Sequence, residues 1–396
     1  MTERLYYGNA YLLAFNATVR TSNRRDDGRT QVTLDRTAFY PTSGGQPFDT
    51  GRLDGAAVID VIEEDDGTVA HVIDGSPPDP GSVVHGEIDW DRRFDHMQQH
   101  TGQHLLSAAF HRVLGAQTVG FHLGADASTI DLMRDVSARE AESAEAEANR
   151  VVWENRPVET RYVTAREAAS MPLRKESQRE GLLRIIDVEG FDISACGGTH
   201  VSRTGSVGLI AITASERFKS GQRVTFVCGR RAHLRFRRLR EIVTAGMRLL
   251  STTGENVPAA VERLHAEHKA YRRRLDTLQV ELAHYRASEL AADAEQTTSG
   301  RLALGAIDGD AGTLKSLAAA IVERQGHMAV LVSTSAPTLV VLARAEDLSV
   351  NVHQVLGALM ARFGGRGGGT SGFAQGGGLQ GAPDLILQTA KQLLLA

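Results

Sequence analysis

The amino-acid sequence predicts an α+β protein of several domains, because three kinds of pattern follow one another along the chain. Short apolar runs between turn residues fill residues 1–92, and helical and strand patterns alternate over residues 93–232. A charged, alanine- and leucine-rich helical stretch covers residues 233–299, and a glycine-rich alternation of helix and strand covers residues 300–396. We therefore predict an N-terminal small β-barrel, an α+β domain, a helical linker and a C-terminal α/β domain.

The barrel prediction depends on apolar runs of strand length that are separated by turn signals such as Asp66-Gly67 and Pro80-Gly81. The runs are Val32–Leu34, Ala57–Ile62, Val69–Ile73 and Val83–Ile88. The same region contains a tight glycine turn, which lets backbone approach a ligand closely. It consists of Thr42, Ser43, Gly44, Gly45 and Gln46. From the residues alone, a plain hairpin turn is the better interpretation.

Three histidines spaced by four, His96, His100 and His104, dominate the next region. On an α-helix this spacing stacks the imidazoles on one face, where two of them can hold one metal ion. The helix is expected to end at Gly115, with Asp95 as a candidate N-cap. Since His100 and His104 then lie deeper in the helix, we expect these two to be ligands.

A second half-site is Cys196-Gly-Gly-Thr-His200, which offers a thiolate and an imidazole in a glycine-containing turn. Taken alone, each pair has an ordinary interpretation as surface histidines or a buried cysteine. Together, His100, His104, Cys196 and His200 make the N/S ligand set that tetrahedral Zn²⁺ prefers. The sequence therefore predicts a zinc site that joins the two segments.

The rest of the α+β region fits two helices against a sheet. A capping box at Ser137–Glu140 begins a second helix that runs to Asn155. Strands are predicted at Val158–Val163, Leu182–Val188, Val207–Thr213 and Val224–Val227.

Composition limits the class of protein. The 396 residues carry a formal net charge of −4, so a nucleic-acid partner would have to be met by a local basic patch. The two cysteines give no disulfide framework, and the sequence has neither a signal-peptide pattern nor an apolar run of membrane-spanning length. We expect a cytoplasmic protein that has no membrane partner.

The histidine and cysteine motifs resemble the two zinc motifs of the editing domain of alanyl-tRNA synthetase and of the free-standing AlaX family. A third segment, Phe39–Gly51, is similar to the glycine-rich motif that precedes the editing core, and the three motifs span roughly residues 1–240. The glycine runs Gly364–Gly369 and Gly376–Gly378 resemble the signature of the DHH-associated domain at the C-terminus of these synthetases. The whole layout is similar to the long form of AlaX.

This resemblance implies hydrolysis of the ester that joins a wrong amino acid to tRNA(Ala), with seryl-tRNA(Ala) and also glycyl-tRNA(Ala) as substrates. In the family the glycine turn lies beside the editing pocket, so residues 42–46 are pocket candidates. Thr129 and Asp131 join them, because their segment resembles a pocket-lining strand. No catalytic base is assigned. With three protein ligands the zinc could activate water, whereas four ligands favour a positioning role.

Beside a site that receives a tRNA 3′ end, a basic run can contact phosphates, although a solvated helix face is the alternative. The candidates are Arg217, Lys219, Arg230, Arg231 and, between the glycines of the last domain, Arg366. The helical stretch carries an apolar stripe that could pack on its own protein or pair with a second copy, so a homodimer is predicted through this linker or through the C-terminal domain. It consists of Leu264, Tyr271, Leu275, Leu278, Leu282 and Tyr285.

Since nothing upstream resembles an aminoacylation domain, the chain is expected to edit without charging and without ATP.

Two other classes of function compete with the editing enzyme. A zinc-stabilised RNA-binding protein that has no turnover is the main alternative. A phosphodiesterase is disfavoured, because the sequence lacks an Asp-His-His motif.

Overall fold

The computed structural model describes residues 1–175 and 181–395. It divides into two compact units, Met1–Ala245 and Gly246–Ala396. The finer division into four domains stays a prediction. No helix in the described part of the chain is long and apolar enough to cross a membrane.

The first unit begins with a closed six-stranded antiparallel barrel, in the order β2-β3-β7-β6-β5-β8. A buried core fills it, including Val32, Leu34, Phe39 and Val61. All four predicted runs are strands, but two barrel strands were missed, because β2 is largely polar and β5 has only three residues. The elements are β1 (Glu3–Arg4), α1 (Leu5–Gly8), β2 (Ala14–Arg24), β3 (Thr30–Leu34), β4 (Arg36–Thr37), β5 (Gly51–Leu53), β6 (Ala56–Glu63), β7 (Val69–Asp74) and β8 (Val83–Ile88).

The remainder of this unit is α+β, as predicted, with two antiparallel sheets ordered β14-β15-β10-β9 and β11-β12-β13. The elements are α2 (Trp90–Leu114), β9 (Thr118–Leu123), β10 (Ser128–Leu132), α3 (Ala138–Trp153), β11 (Val158–Thr164), α4 (Ala165–Ala168), β12 (Leu182–Val188), β13 (Asp192–Ala195), a 3₁₀ turn (Thr204–Val207), β14 (Ile210–Phe218), β15 (Gly221–Cys228) and α5 (Gly229–Leu250). The strand predicted at Val207–Thr213 was placed too early, since its first residue belongs to the 3₁₀ turn.

The histidine helix α2 begins earlier than predicted. Asp89, not Asp95, is the N-cap, and its carboxylate accepts a hydrogen bond from the Arg92 backbone N–H. Asp95 lies within the helix and pairs with Arg231. The helix ends as predicted at Gly115, whose φ of +63° favours glycine. The predicted capping box of α3 is also confirmed.

The helix α2 packs closely against the four-stranded sheet at Gly102. A Cβ atom at this position would lie 2.2 Å from Cys228 Sγ on β15, so only glycine permits the approach. One turn earlier, the Gln99 side chain bonds both the backbone N–H and the carbonyl of Cys228 at 2.9 and 3.1 Å. These contacts fix the position of α2 along its axis and its rotation about that axis, and so they place the histidines.

The second unit contains the helix α6 and a six-stranded sheet in the order β16-β17-β18-β19-β21-β20, with helices α7 to α9. The glycine runs form the antiparallel pair of β20 and β21 at one edge of this sheet. The elements are a 3₁₀ turn (Gly254–Asn256), α6 (Val257–Ala292), β16 (Glu295–Thr297), β17 (Gly300–Ile307), α7 (Ala311–Val322), β18 (His327–Ser333), β19 (Thr338–Arg344), α8 (Val352–Phe363), β20 (Arg366–Gly369), β21 (Phe373–Leu379) and α9 (Pro383–Leu395). The predicted helical linker thus consists of α5 and α6, and its coiled coil stays a prediction.

Candidate metal centre

The four predicted zinc ligands meet in one cluster, in which the three histidines are buried and Cys196 is partly exposed. Their ligand atoms all lie within 4.8 Å of one another. The sulfur of Cys196 lies 3.3 Å from His100 Nε2 and 3.4 Å from His200 Nε2. Two ligands come from consecutive turns of α2, and two come from the turn that follows β13. Three imidazoles and one thiolate form a set that can bind a metal ion and that suits Zn²⁺.

Each of the three imidazoles uses Nδ1 for a second contact. Such contacts fix the tautomer and the ring orientation, which leaves Nε2 free for a metal. The partners come from three different elements. The pairs are His100 with Gln46 Oε1 at 2.8 Å, His104 with Asp192 Oδ2 at 3.1 Å, and His200 with Thr101 Oγ1 at 3.1 Å.

Gln46 connects both halves of the cluster to the barrel. Its carbonyl oxygen accepts from the His100 imidazole and, at 3.0 Å, from the Thr199 backbone N–H, while its amide donates to Thr199 Oγ1 at 2.9 Å. The residue is completely buried. Backbone hydrogen bonds between Ser43 and Gln46 close the glycine turn that presents it.

Two glycines permit close approaches at the centre. A Cβ atom on Gly198 would lie 2.1 Å from the His100 ring, so the turn between Cys196 and His200 requires glycine there. A Cβ atom on Gly45 would lie 2.7 Å from the ring of Phe121, and φ at Gly45 is +81°. Phe121 in turn packs on the imidazole of His100, with 5.6 Å between the ring centroids. The glycine turn therefore lies directly against the wall of the centre.

Buried charges around the ligands favour the thiolate. Burial alone would raise the pKa of the Cys196 thiol, but the neighbouring imidazole of His100 holds that pKa well below its ordinary value. Burial and the neighbouring His100 lower the pKa of His200 to about 3, so that its imidazole is neutral. A thiolate and a neutral imidazole are the protonation states that bind a metal.

Asp192 favours the protonated form of His104, in contrast to the neutral imidazole of His200. Although burial opposes protonation, the hydrogen bond to Asp192 raises the pKa of His104 to about 9. Asp192 itself is held by Arg174 Nε at 2.8 Å and by Ser194 Oγ at 2.9 Å. A metal cation on His104 Nε2 would take the place of that proton, and the carboxylate would make the imidazole a stronger ligand.

Sequence reasoning missed these outer partners, Asp192, Thr101 and Arg174, and it also missed Arg184. The Arg184 guanidinium donates to the backbone carbonyls of Cys196 and Gly198 at 2.8 and 2.9 Å and so holds the ligand turn. For Asp192 a signal existed, since an acidic residue just before a ligand cysteine is a candidate partner for a ligand imidazole.

The other predicted pocket residues divide into two groups. Thr42, Ser43 and Gly44 lie on the turn that presents Gln46, and Thr42 and Gly44 are exposed. Thr129 and Asp131 lie on β10, where Ile130 and Leu132 point into the core shared with α2. By strand alternation Thr129 and Asp131 face away from α2, and Asp131 pairs with Arg223 at 2.7 Å. The structure does not bring these two residues to the cluster.

The predicted tRNA contacts are also scattered. Arg217 and Lys219 lie at the exposed hairpin between β14 and β15, and Arg230 pairs with Asp91 on the surface. Arg231 is largely buried, because it bonds Asp95 at 2.7 Å and the Gly124 carbonyl at 2.7 Å. This geometry argues against a phosphate contact by Arg231. Arg366 is exposed at the start of the glycine strand β20, in the second unit.

Comparisons with known proteins agree with this centre. Residues 183–225 match the family described as threonyl and alanyl tRNA synthetase second additional domain, and residues 4–92 match tRNA synthetases class II (A). The alanyl-tRNA editing protein AlaX-L of Pyrococcus horikoshii is 29% identical over 406 residues, which cover 100% of this chain and 98% of that protein. The chain therefore resembles this AlaX protein over its whole length.

Longer proteins to which this chain is similar are alanine–tRNA ligases. The ligase of Natronomonas pharaonis is 35% identical over 394 residues, which cover 95% of this chain but 42% of the ligase. The chain thus spans about two fifths of the ligases it matches. The C-Ala domain of Aquifex aeolicus alanyl-tRNA synthetase is 20% identical and covers 26% of this chain, with a TM-score of 0.25.

Proposed function

We propose that this protein is a trans-editing hydrolase that removes a wrong amino acid from tRNA(Ala), with seryl-tRNA(Ala) as the main substrate and glycyl-tRNA(Ala) as a second one. The observation that carries this proposal is the cluster of His100, His104, Cys196 and His200, in a chain that aligns with 98% of the length of an editing protein. Ester hydrolysis needs no ATP, and its substrate is found in the cytoplasm, where tRNA is charged.

The chain's own residues prepare the site. Gln46, Asp192 and Thr101 orient the three imidazoles, and Arg184 holds the turn that carries the thiolate. A Zn²⁺ ion held by these ligands supplies a positive charge that orients or polarises the ester. The glycine turn at residues 43–46 lies beside the ligands, and Gly45 allows its backbone to approach Phe121 closely.

We expect purified protein with zinc to release serine from seryl-tRNA(Ala) much faster than alanine from alanyl-tRNA(Ala). Incubation with a chelator should abolish the release, and added Zn²⁺ should restore it. The measurement is the release of radiolabelled amino acid over time. If zinc binds stoichiometrically and neither ester is cleaved, the protein is not a deacylase. The result then favours the alternative function, a zinc-stabilised RNA-binding protein without turnover.

The tRNA itself is proposed to contact the exposed cations Arg217, Lys219, Arg230 and Arg366. Their side chains are exposed, so none of them needs to leave the protein interior to meet a phosphate.

A homodimer through α6 is part of the same proposal. The apolar stripe predicted on this helix is solvent-exposed, with Leu275 at 58% and Tyr271 at 72%. Its apolar residues recur mostly at intervals of three and four residues, which is the pattern with which two helices pair in a coiled coil. We expect sedimentation to give twice the chain mass, and Leu275→Glu with Leu282→Glu to give monomers. A monomeric wild-type protein would contradict this part of the proposal.

A further inference from the structure

The three-stranded sheet of β11, β12 and β13 has one face toward the metal centre. Strand β12 lies in the middle of this sheet. On one face, Leu183 and Ile185 of β12 form a small core with Ala168 of α4. Side chains alternate along a strand, so Arg184 lies on the opposite face. That second face leads to the ligand turn, because the Arg184 guanidinium bonds the carbonyl of Cys196.

Three residues lie side by side on this second face. Tyr162 of β11 pairs with Arg184 of β12. In the next pair of strands Ile185 is opposite Ala195, so the neighbouring Arg184 is opposite Cys196. The Cys196 backbone N–H donates to the Arg184 carbonyl at 3.0 Å, which agrees with this register. Since adjacent strands are about 4.8 Å apart, the backbone of Tyr162 lies about 10 Å from that of the ligand cysteine.

The Tyr162 ring is exposed, but its orientation is fixed. The residue is 47% exposed. Its hydroxyl donates to the backbone carbonyl of Tyr7 on α1 at 3.3 Å. A ring that is held at its far end has already lost most of its side-chain entropy, so contact with a ligand costs little more. The ring therefore offers a prepared apolar surface two strands away from the metal centre.

Arg184, between the ring and the ligand cysteine, carries a positive charge that no acidic residue neutralises in the described part of the chain. Its guanidinium donates to the carbonyls of Cys196 and Gly198 and, at 3.4 Å, to the Thr160 hydroxyl. It also lies 5.3 Å from the centroid of the Tyr7 ring. All of these partners are uncharged, so the positive potential of Arg184 reaches beyond the protein surface and attracts an anion.

An exposed aromatic ring beside an uncompensated cation suits a single-stranded nucleotide. Unpaired RNA bases stack on aromatic side chains, and cations attract the phosphate. In an aminoacyl-tRNA the terminal nucleotide is the one that carries the ester. When that ester lies at the metal centre, the nucleotide has to lie on the surface next to the ligands, where Arg184 and Tyr162 follow one another.

We propose that the base of the terminal tRNA nucleotide stacks on the ring of Tyr162, with its phosphate drawn toward Arg184. This inference rests on the proposed function. The backbone separation of about 10 Å between Tyr162 and Cys196 leaves room for one nucleotide between the ester and the stacked base. Stacking tolerates every base, so this contact aligns the 3′ end and does not read the tRNA sequence.

The first test measures kcat/KM for serine release from seryl-tRNA(Ala) by wild type, Tyr162→Ala and Tyr162→Phe. We expect Tyr162→Ala to lower kcat/KM by roughly 5- to 150-fold, the effect of losing one base–aromatic stack. Tyr162→Phe keeps the ring and should keep most of the activity. Zinc content should stay at one ion per chain, and loss of zinc from Tyr162→Ala would show that the ring supports the ligand turn instead.

The second test removes the other partner of the stack. It uses seryl-tRNA(Ala) whose terminal nucleotide lacks its base. Wild type should lose a similar factor in kcat/KM on this substrate, and Tyr162→Ala should lose nothing further, because the stack is already absent. Two losses that multiply would show that the ring does not contact this base, and the proposal would be wrong.

The matched control is Trp153→Ala. Trp153 is an aromatic residue of the same unit and is 73% exposed, but it lies at the end of α3 and not on the three-stranded sheet. Its replacement should leave kcat/KM unchanged. If wild type cleaves seryl-tRNA(Ala) and neither Tyr162→Ala nor the missing base changes kcat/KM, the stacking site is wrong and the editing function stands. If wild type does not cleave seryl-tRNA(Ala), the proposed function itself fails.

Discussion

Replacing Cys196 with alanine is expected to remove both the bound metal and the deacylation of seryl-tRNA(Ala). The thiolate is the one sulfur ligand of the cluster, and it lies within 3.4 Å of two ligand imidazoles. Losing an outer partner of a metal ligand costs roughly 10- to 100-fold in affinity or activity, so losing the ligand itself should cost more. Metal content by mass spectrometry of the native protein and the rate of serine release are the two measurements.

The second cysteine of the chain is the matched control for this experiment. Cys228 is completely buried, packs against Gly102 of α2 and lies outside the cluster. Burial raises the pKa of its thiol, so the sulfur is a protonated core group. The Cys228→Ala variant should keep one metal ion per chain. A Cys196→Ala variant that also keeps its metal and its activity would show that the ligand assignment is wrong.

The sequence predicted the ligands because their pattern is local. Two histidines four apart on a helix, and a cysteine and a histidine four apart in a glycine turn, each form half a site without help from the fold. The contacts that orient these ligands are of another kind. Gln46 and His100 are 54 residues apart, and Arg174 reaches Asp192 across a sheet edge. Such pairs are fixed by tertiary packing, which no spacing rule records.

The differences between the predicted and the observed elements have physical causes. The start of α2 was placed too late because the helix is buried on nearly all sides from His96 to Phe110, which erases the amphipathic stripe that normally marks a helix. The glycine strands β20 and β21 have little intrinsic strand preference. They pair because glycine lets two backbones approach closely: a Cβ atom on Gly367 would lie 2.3 Å from the Gln375 carbonyl oxygen.

Replacing Asp49 with alanine is expected to give the largest loss of stability in the first unit. Asp49 and Arg93 are both completely buried and form an ion pair between the barrel and α2. The carboxylate accepts from Arg93 Nε at 3.0 Å and from the Tyr40 backbone N–H at 2.6 Å. The variant leaves an uncompensated guanidinium in the interior, which costs about 3–5 kcal/mol of the free energy of unfolding.

Urea denaturation followed by tryptophan fluorescence measures this loss. Both tryptophans, Trp90 and Trp153, lie in the first unit, so the signal reports that unit alone. Asp91→Ala is the control, because its pair with Arg230 is solvent-exposed and should contribute at most about 1 kcal/mol. Arg93→Met combined with Asp49→Leu should recover much of the stability, since both charges are then absent. Equal losses for Asp49→Ala and Asp91→Ala would show that the buried pair does not hold the barrel to the histidine helix.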